Sequence, residues 1–169
     1  VYSCTGASCF PNNVLQDWTT NTSYSWGGLV SGTVYGWRVE ATNGSKTTSS
    51  GTWYFTYDTE APSCSNLTDT PDPLTIGQTL NLTATFTDNV SVSRIAMYVN
   101  SDVNGGTGGS WGTLCDLTGL SGSPVTRTCQ WTPPEGGQYA GLGKHALASN
   151  AVDSAGNIAN QANSRGCAG

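Results

Sequence analysis

The chain has 169 residues, 36% hydrophobic and 10% charged, with a net charge of -5 and only six Lys and Arg. A charged share far below the roughly 25% of ordinary soluble domains leaves solubility to Thr, Ser, Asn and Gly, which with β-branched and aromatic residues favour strands and turns. So few cations argue against nucleic acid or an anionic membrane as partner, and no apolar run is long enough for a membrane-spanning helix.

In chain order, Cys4 and Cys9 come first, flanking the loop "TGAS", and are expected to bond across it. In "LQDWTTNTSYSW", Trp18 stands among polar residues, which no core pattern explains. Tyr35, Trp37, Val39 and Ala41 then share one parity while Arg38 and Glu40 share the other, the alternation of a strand with one buried face. Trp53, Phe55 and Tyr57 form a second such strand, with "TNGSKTTSSGT" as the turn between them. A hairpin of this form needs further sheet to cover it. At Thr59 to Pro62, acidic and Pro residues followed by Cys64 mark a linker.

The second half begins with Leu80, Leu82, Ala84 and Phe86 on one parity, then the loop "DNVSV", then Ile95, Met97 and Val99 alternating. In "CDLTGLSGSPVTRTC" the turn-forming "SGSP" lies midway between Cys115 and Cys129, so a hairpin bridged by that pair is expected, with Trp111 and Trp131 near its ends. "GKHALASNAVDSAGNIANQ" supplies the last pair of strands. Cys64 and Cys167 remain to pair with each other; a bond closing a loop of about 100 residues removes about 4–5 kcal/mol of unfolded-state entropy. Six cysteines without a Cys-x-x-Cys pair read as a disulfide framework and place the protein in an oxidising location, secreted or at a cell surface. No charged-then-apolar signal pattern follows Val1, as expected of a mature chain or an excised piece.

Leu29 six residues before Tyr35, with Gly32-Thr33 between, followed by "YGWRVEA", resembles the tyrosine corner and penultimate strand of a fibronectin type III domain. The resemblance covers about residues 1–57 and is most specific over 23–57. It departs from the family at the front, where the first two strands and their buried Trp are expected upstream of Val1 or in another molecule. "TDNVSVSRIAMYVN" and "AVDSAGN" are similar to bacterial immunoglobulin-like domains, a likeness that covers 63–169. The fold expected is all-β: two tandem sandwiches, a partial fibronectin type III-like one over 1–58, a linker over 59–62, and a bacterial Ig-like one over 63–169.

Catalytic chemistry finds little footing. His145 is the one histidine and sits on a strand pattern without a nucleophile elbow or metal-ligand spacing around it. Asp69 and Asp72 straddle a Pro-containing turn, and Asp58 and Glu60 straddle the linker, so turn formation accounts for these carboxylates. Asp58, Glu60, Asp88, Asn89, Asp153 and Asn157 offer the loop oxygens that calcium takes, but Asp and Asn in "TDN" and "DSAGN" are expected to bond their own turns. No catalytic residue, metal or cofactor is therefore expected. Trp18, Trp26, Trp111 and Trp131 are candidates for stacking on sugars, with core packing the commoner use of such residues. Asn-x-Ser/Thr sequons at Asn21, Asn43, Asn66, Asn81 and Asn89 offer N-glycosylation sites.

These features point to a non-catalytic structural protein of an extracellular fibre, pilus-like filament or surface stalk. Its partners are copies of itself or adjoining domains of a longer chain, met by strand complementation through Tyr35, Trp37, Val39, Trp53 and Phe55. The alternative is an accessory or carbohydrate-binding module of a secreted enzyme or adhesin, with surface glycans as partner.

Overall fold

The computed structural model describes residues 1–75, 77–102, 104–106, 108–136, 144–159 and 167–168, without the side chains of the last two. The chain is all-β, with no helix among the described residues, and divides into two compact units, Val1–Thr59 and Glu60–Gly169.

The first unit holds β1 (Tyr2–Thr5), β2 (Asn13–Val14), β3 (Thr33–Arg38), β4 (Glu40–Thr42), β5 (Thr47–Ser49) and β6 (Trp53–Tyr57). An antiparallel sheet runs in the order β2-β1-β3-β6, with Tyr35 opposite Phe55, Gly36 opposite Tyr54 and Trp37 opposite Trp53. Because opposed residues share a face, Tyr35 and Phe55 lie together, and Trp26 from the preceding loop covers both edge-on at 5.1 and 5.7 Å. On the other face the Cys4–Cys9 disulfide sits over Gly36. A Cβ added at Gly36 would lie 2.8 Å from the Tyr54 ring and 2.9 Å from Cys4 Sγ, so this strand centre admits only glycine.

Two expectations change here. The alternation of β3 ends at Arg38, because Val39 leaves the ladder: its N–H donates to Ser50 Oγ at 2.9 Å and its carbonyl accepts from Ser50 N–H at 2.8 Å. Val39 and Ala41 are exposed as a result. The segment expected as a simple turn contains the β4–β5 ribbon, folded over Asn43, whose Oδ1 accepts from the Ser45 and Lys46 amides at 3.1 and 2.9 Å.

The second unit contains β7 (Ser63–Thr70), β8 (Leu80–Thr87), β9 (Val92–Asn100), β10 (Trp111–Thr118), β11 (Val125–Trp131), β12 (Leu147–Asp153) and β13 (Cys167–Ala168). They form two antiparallel sheets, β11-β8-β7 and β10-β9-β12-β13. Leu80, Leu82, Ala84 and Phe86 of β8 meet Ile95, Met97 and Val99 of β9, with Val125, Leu147 and Ala151, in one buried core. Burying each large side chain contributes about 1.5–3 kcal/mol. The alternate residues of β8 face outward, where Thr83 and Thr85 pair their hydroxyls with those of Thr128 and Thr126 at 2.8 and 2.9 Å, and Gln130 Nε2 donates to Asn81 Oδ1 at 3.0 Å.

The hairpin expected around "SGSP" is not formed. Cys115 in β10 and Cys129 in β11 are bonded, but β10 pairs with β9 and β11 with β8, so the disulfide joins the two sheets, with Cα atoms 6.1 Å apart. The intervening chain crosses between sheets over Gly119 and Gly122, at φ of 69° and 94°. Equal spacing about a turn requires only that two residues come close, and a crossover satisfies that as well as a ladder does. Cys64 is disulfide-bonded, and the side chain of its expected partner Cys167 lies outside the described residues. His145 precedes β12 rather than standing within a strand; its Nδ1 is 2.8 Å from the Asn100 carbonyl and its ring meets Trp131 edge-on.

Candidate functional site

The sheet of the first unit ends on β6, whose outward backbone groups have no partner among the described residues. This edge is not blunted by Lys, Pro or a bulge, the usual protections against pairing with another strand. It instead carries Trp53 at 62% exposure and Tyr54 at 45%. Tyr54 is fixed by its hydroxyl, which donates to the Cys9 carbonyl at 2.8 Å.

Of the residues expected to form an assembly surface, Trp53 and Val39 are exposed and Trp37 is half-buried. Tyr35 is buried and Phe55 half-buried, both packed under Trp26. Tyr35 is also tied down by its hydroxyl, which accepts from the Val30 N–H at 2.8 Å. The accessible part of the set is therefore concentrated at one end of β6 and the bend after β3. Tyr54 belongs there too and was missed, because parity alone assigns it to the opposite face from Trp53.

The opposite face of β1 and β3 carries a second arrangement. The Arg38 guanidinium stacks 4.3 Å from the Tyr2 ring centre and 4.9 Å from that of Phe10, donates from Nε to the Pro11 carbonyl at 2.8 Å, and bridges to Glu40. The hydrogen bond from Arg38, seconded by one from Tyr2, holds the Glu40 carboxyl below the usual carboxylate range. The same bond to Glu40, with burial, pushes the Tyr2 phenol up. Beside this cluster runs a shallow groove of about 90 Å³, lined by Tyr2, Val14, Gln16, Trp18, Asn21 and Glu40 among others. Trp18 is 57% exposed, whereas Trp111 and Trp131 are half-buried. The alternating parity of Arg38 and Glu40 was the available signal for the cluster; nothing in the sequence ties Phe10 to it.

Several of the carboxylates considered for catalysis or calcium accept hydrogen bonds from neighbouring groups. Asp153 is buried, and its Oδ1 accepts from the Ala155, Gly156 and Asn157 amides at 2.8, 2.7 and 2.8 Å. Asp88 Oδ1 accepts from the Val90 and Ser91 amides, while its Oδ2 is buried without a hydrogen-bond partner among the described residues. Asp58 Oδ1 accepts from the Ser31 hydroxyl at 3.0 Å, whereas at Glu60 it is the backbone carbonyl that accepts, from Asn157 Nδ2 at 3.2 Å. Asp69 and Asp72 are exposed.

The sequon asparagines differ in how their side chains are used. Asn43 and Asn81 are engaged in the bonds given above, Asn66 lies exposed on β7, and Asn89 is exposed in the loop after β8. Asn21 is exposed in the groove, and its carboxamide makes no hydrogen bond among the described residues. Comparison with family models, curated proteins and solved structures finds no match to this chain.

Proposed function

We propose that the protein is a non-catalytic structural element of an extracellular fibre, pilus-like filament or surface stalk, assembled through a β-strand added to its first unit. The observation that carries this reading is the unpaired outer edge of β6 with Trp53 and Tyr54 standing on it. A donated strand gains main-chain hydrogen bonds along such an edge, and alternate side chains of that strand reach the exposed rings. The disulfides suit an oxidising environment. The hydroxyl of Tyr35 on the Val30 amide, and the β2-β1-β3-β6 order, support assigning the first unit to the fibronectin type III-like class with its opposing sheet incomplete. Two sheets tied by a core disulfide support an Ig-like second unit.

The test is assembly state. The protein isolated from its source is expected as filaments or higher oligomers by electron microscopy and light scattering. Trp53→Lys with Thr56→Lys on β6 is expected to leave the melting temperature within a few degrees and to abolish assembly, because Lys on an edge opposes strand addition. Assembly unaffected by these changes refutes edge pairing, and a monomeric native protein refutes the filament. The alternative, an accessory carbohydrate-binding module, rests on Trp18, the exposed tryptophan that lies off the β6 edge.

A further inference from the structure

Trp18 and Asn21 are unrelated to the β6 edge, yet they lie together. Both line the groove beside Tyr2 and Glu40, three positions apart in sequence. Local hydrogen bonds shape the chain around them: the Trp18 N–H donates to Asp17 Oδ1 at 2.8 Å and the Asn21 N–H to Thr19 Oγ1 at 3.1 Å. Asn21 opens the sequon Asn21-Thr22-Ser23.

We infer that Asn21 carries an N-linked glycan whose first sugar ring packs on the Trp18 indole in this groove. The groove joins a flat apolar ring to the acceptors Asp17, Glu40 and Gln16, with no Lys or Arg among its lining residues. That chemistry suits a polyhydroxyl ring, with C–H faces on the indole and hydroxyls toward carboxylate and amide oxygens. Modification at Asn21 costs no existing hydrogen bond, whereas at Asn43 or Asn81 it would compete with the turn or the Gln130 contact.

Magnitude separates an attached sugar from a free one. One stacking contact shifts an equilibrium by about tenfold at most. A free saccharide must also give up translational and rotational freedom, which a shallow groove with one exposed indole does not offset. A sugar bonded to Asn21 has already lost that freedom, so tenfold is enough to keep it over the ring. The covalent step uses an oligosaccharide activated as a lipid-linked pyrophosphate. Asn21 Nδ2 forms a bond to the anomeric carbon, the bond from that carbon to the pyrophosphate oxygen breaks, the lipid pyrophosphate leaves with the electron pair, and the amide proton passes to a base of the transferase. The inference shares only the extracellular location with the proposed function, and its test does not depend on assembly.

The experiment uses protein from its source and a Ser23→Ala variant made in the same host, which keeps Asn21 and abolishes the sequon. Peptide mass spectrometry is expected to find oligosaccharide on Asn21. Oxidation of Trp18 by N-bromosuccinimide, followed by the same method, is expected to be about fivefold to tenfold slower in the native protein than in Ser23→Ala. Trp26, packed on Tyr35, is expected to react at one rate in both and so controls for folding. An unmodified Asn21 in the native protein overturns the inference, as do equal Trp18 rates with Asn21 modified. Equal protection of Trp18 in Ser23→Ala by millimolar free chito-oligosaccharide would also overturn it and make the groove a site for free saccharide.

Discussion

Replacing Cys115 and Cys129 together by Ala tests whether the second unit depends on its inter-sheet disulfide. The bonded residues are 14 positions apart, a closed loop of about 15 residues, for which restricting the unfolded chain is worth about 3 kcal/mol. Alanine keeps a hydroxyl out of the site, where Cys129 is 3% exposed, and the lost sulfur packing adds about 1 kcal/mol. A unit of this size is expected to melt roughly 10–20 °C lower. The assay is guanidinium unfolding of the native and double-Ala proteins followed by amide hydrogen exchange with mass spectrometry, which reads peptides of each unit separately. The first unit, holding its own Cys4–Cys9 bond, is expected to unfold at an unchanged midpoint. A loss below about 1 kcal/mol would refute the account, showing that β10 and β11 are held by the core alone.

Tyr35→Phe removes the hydroxyl that accepts from the Val30 amide and is expected to cost the first unit about 1–1.5 kcal/mol by urea unfolding, with the ring packing under Trp26 retained. Gly36→Ala places a methyl group against Tyr54 and Cys4 and is expected to cost more than about 2 kcal/mol, since both neighbours are anchored; an alanine variant of native stability would mean that the strand centre can spread. Asp153→Ala strips three turn amides of their acceptor and is expected to lower second-unit stability by about 2–3 kcal/mol, read from its thermal midpoint. Because Arg38 and Tyr2 hold the Glu40 carboxyl below its ordinary value, its contribution is present above the unfolded-state pKa and is lost as pH falls through the lower folded value. Glu40→Gln is therefore expected to flatten the acid limb of the first unit's stability profile, and an unchanged limb would remove Glu40 from the account.

Most of the strands were legible because their signal is local. Leu80, Leu82, Ala84 and Phe86 alternate against Thr83 and Thr85, and a period of two with one apolar face has few other uses. Val39 shows the limit. Its parity continues that of Tyr35 and Trp37, but the bend is set by hydrogen bonds to Ser50 across the ribbon, eleven residues away. The crossover between β10 and β11 was hidden for a related reason: turn residues tell where a chain reverses, while the sheet it enters depends on which strand needs a neighbour. Of the candidate surface, Trp18 and Trp53 could be marked as unexplained or available, whereas the burial of Tyr35 and Phe55 depends on Trp26 arriving from an irregular loop.

The hydroxyl pairs on the outer face of β8 and β11, together with the low charge of the chain, bear on the medium in which the protein works. Thr83 with Thr128 and Thr85 with Thr126 are neutral contacts, unlike ion pairs such as Arg38–Glu40 and Arg94–Asp116, which electrolyte weakens. Mobile ions screen charges and leave hydroxyl pairs almost untouched. The cohesion of that sheet is therefore expected to be the same in brine as in fresh water, a tolerance that a surface laced with salt bridges would not have.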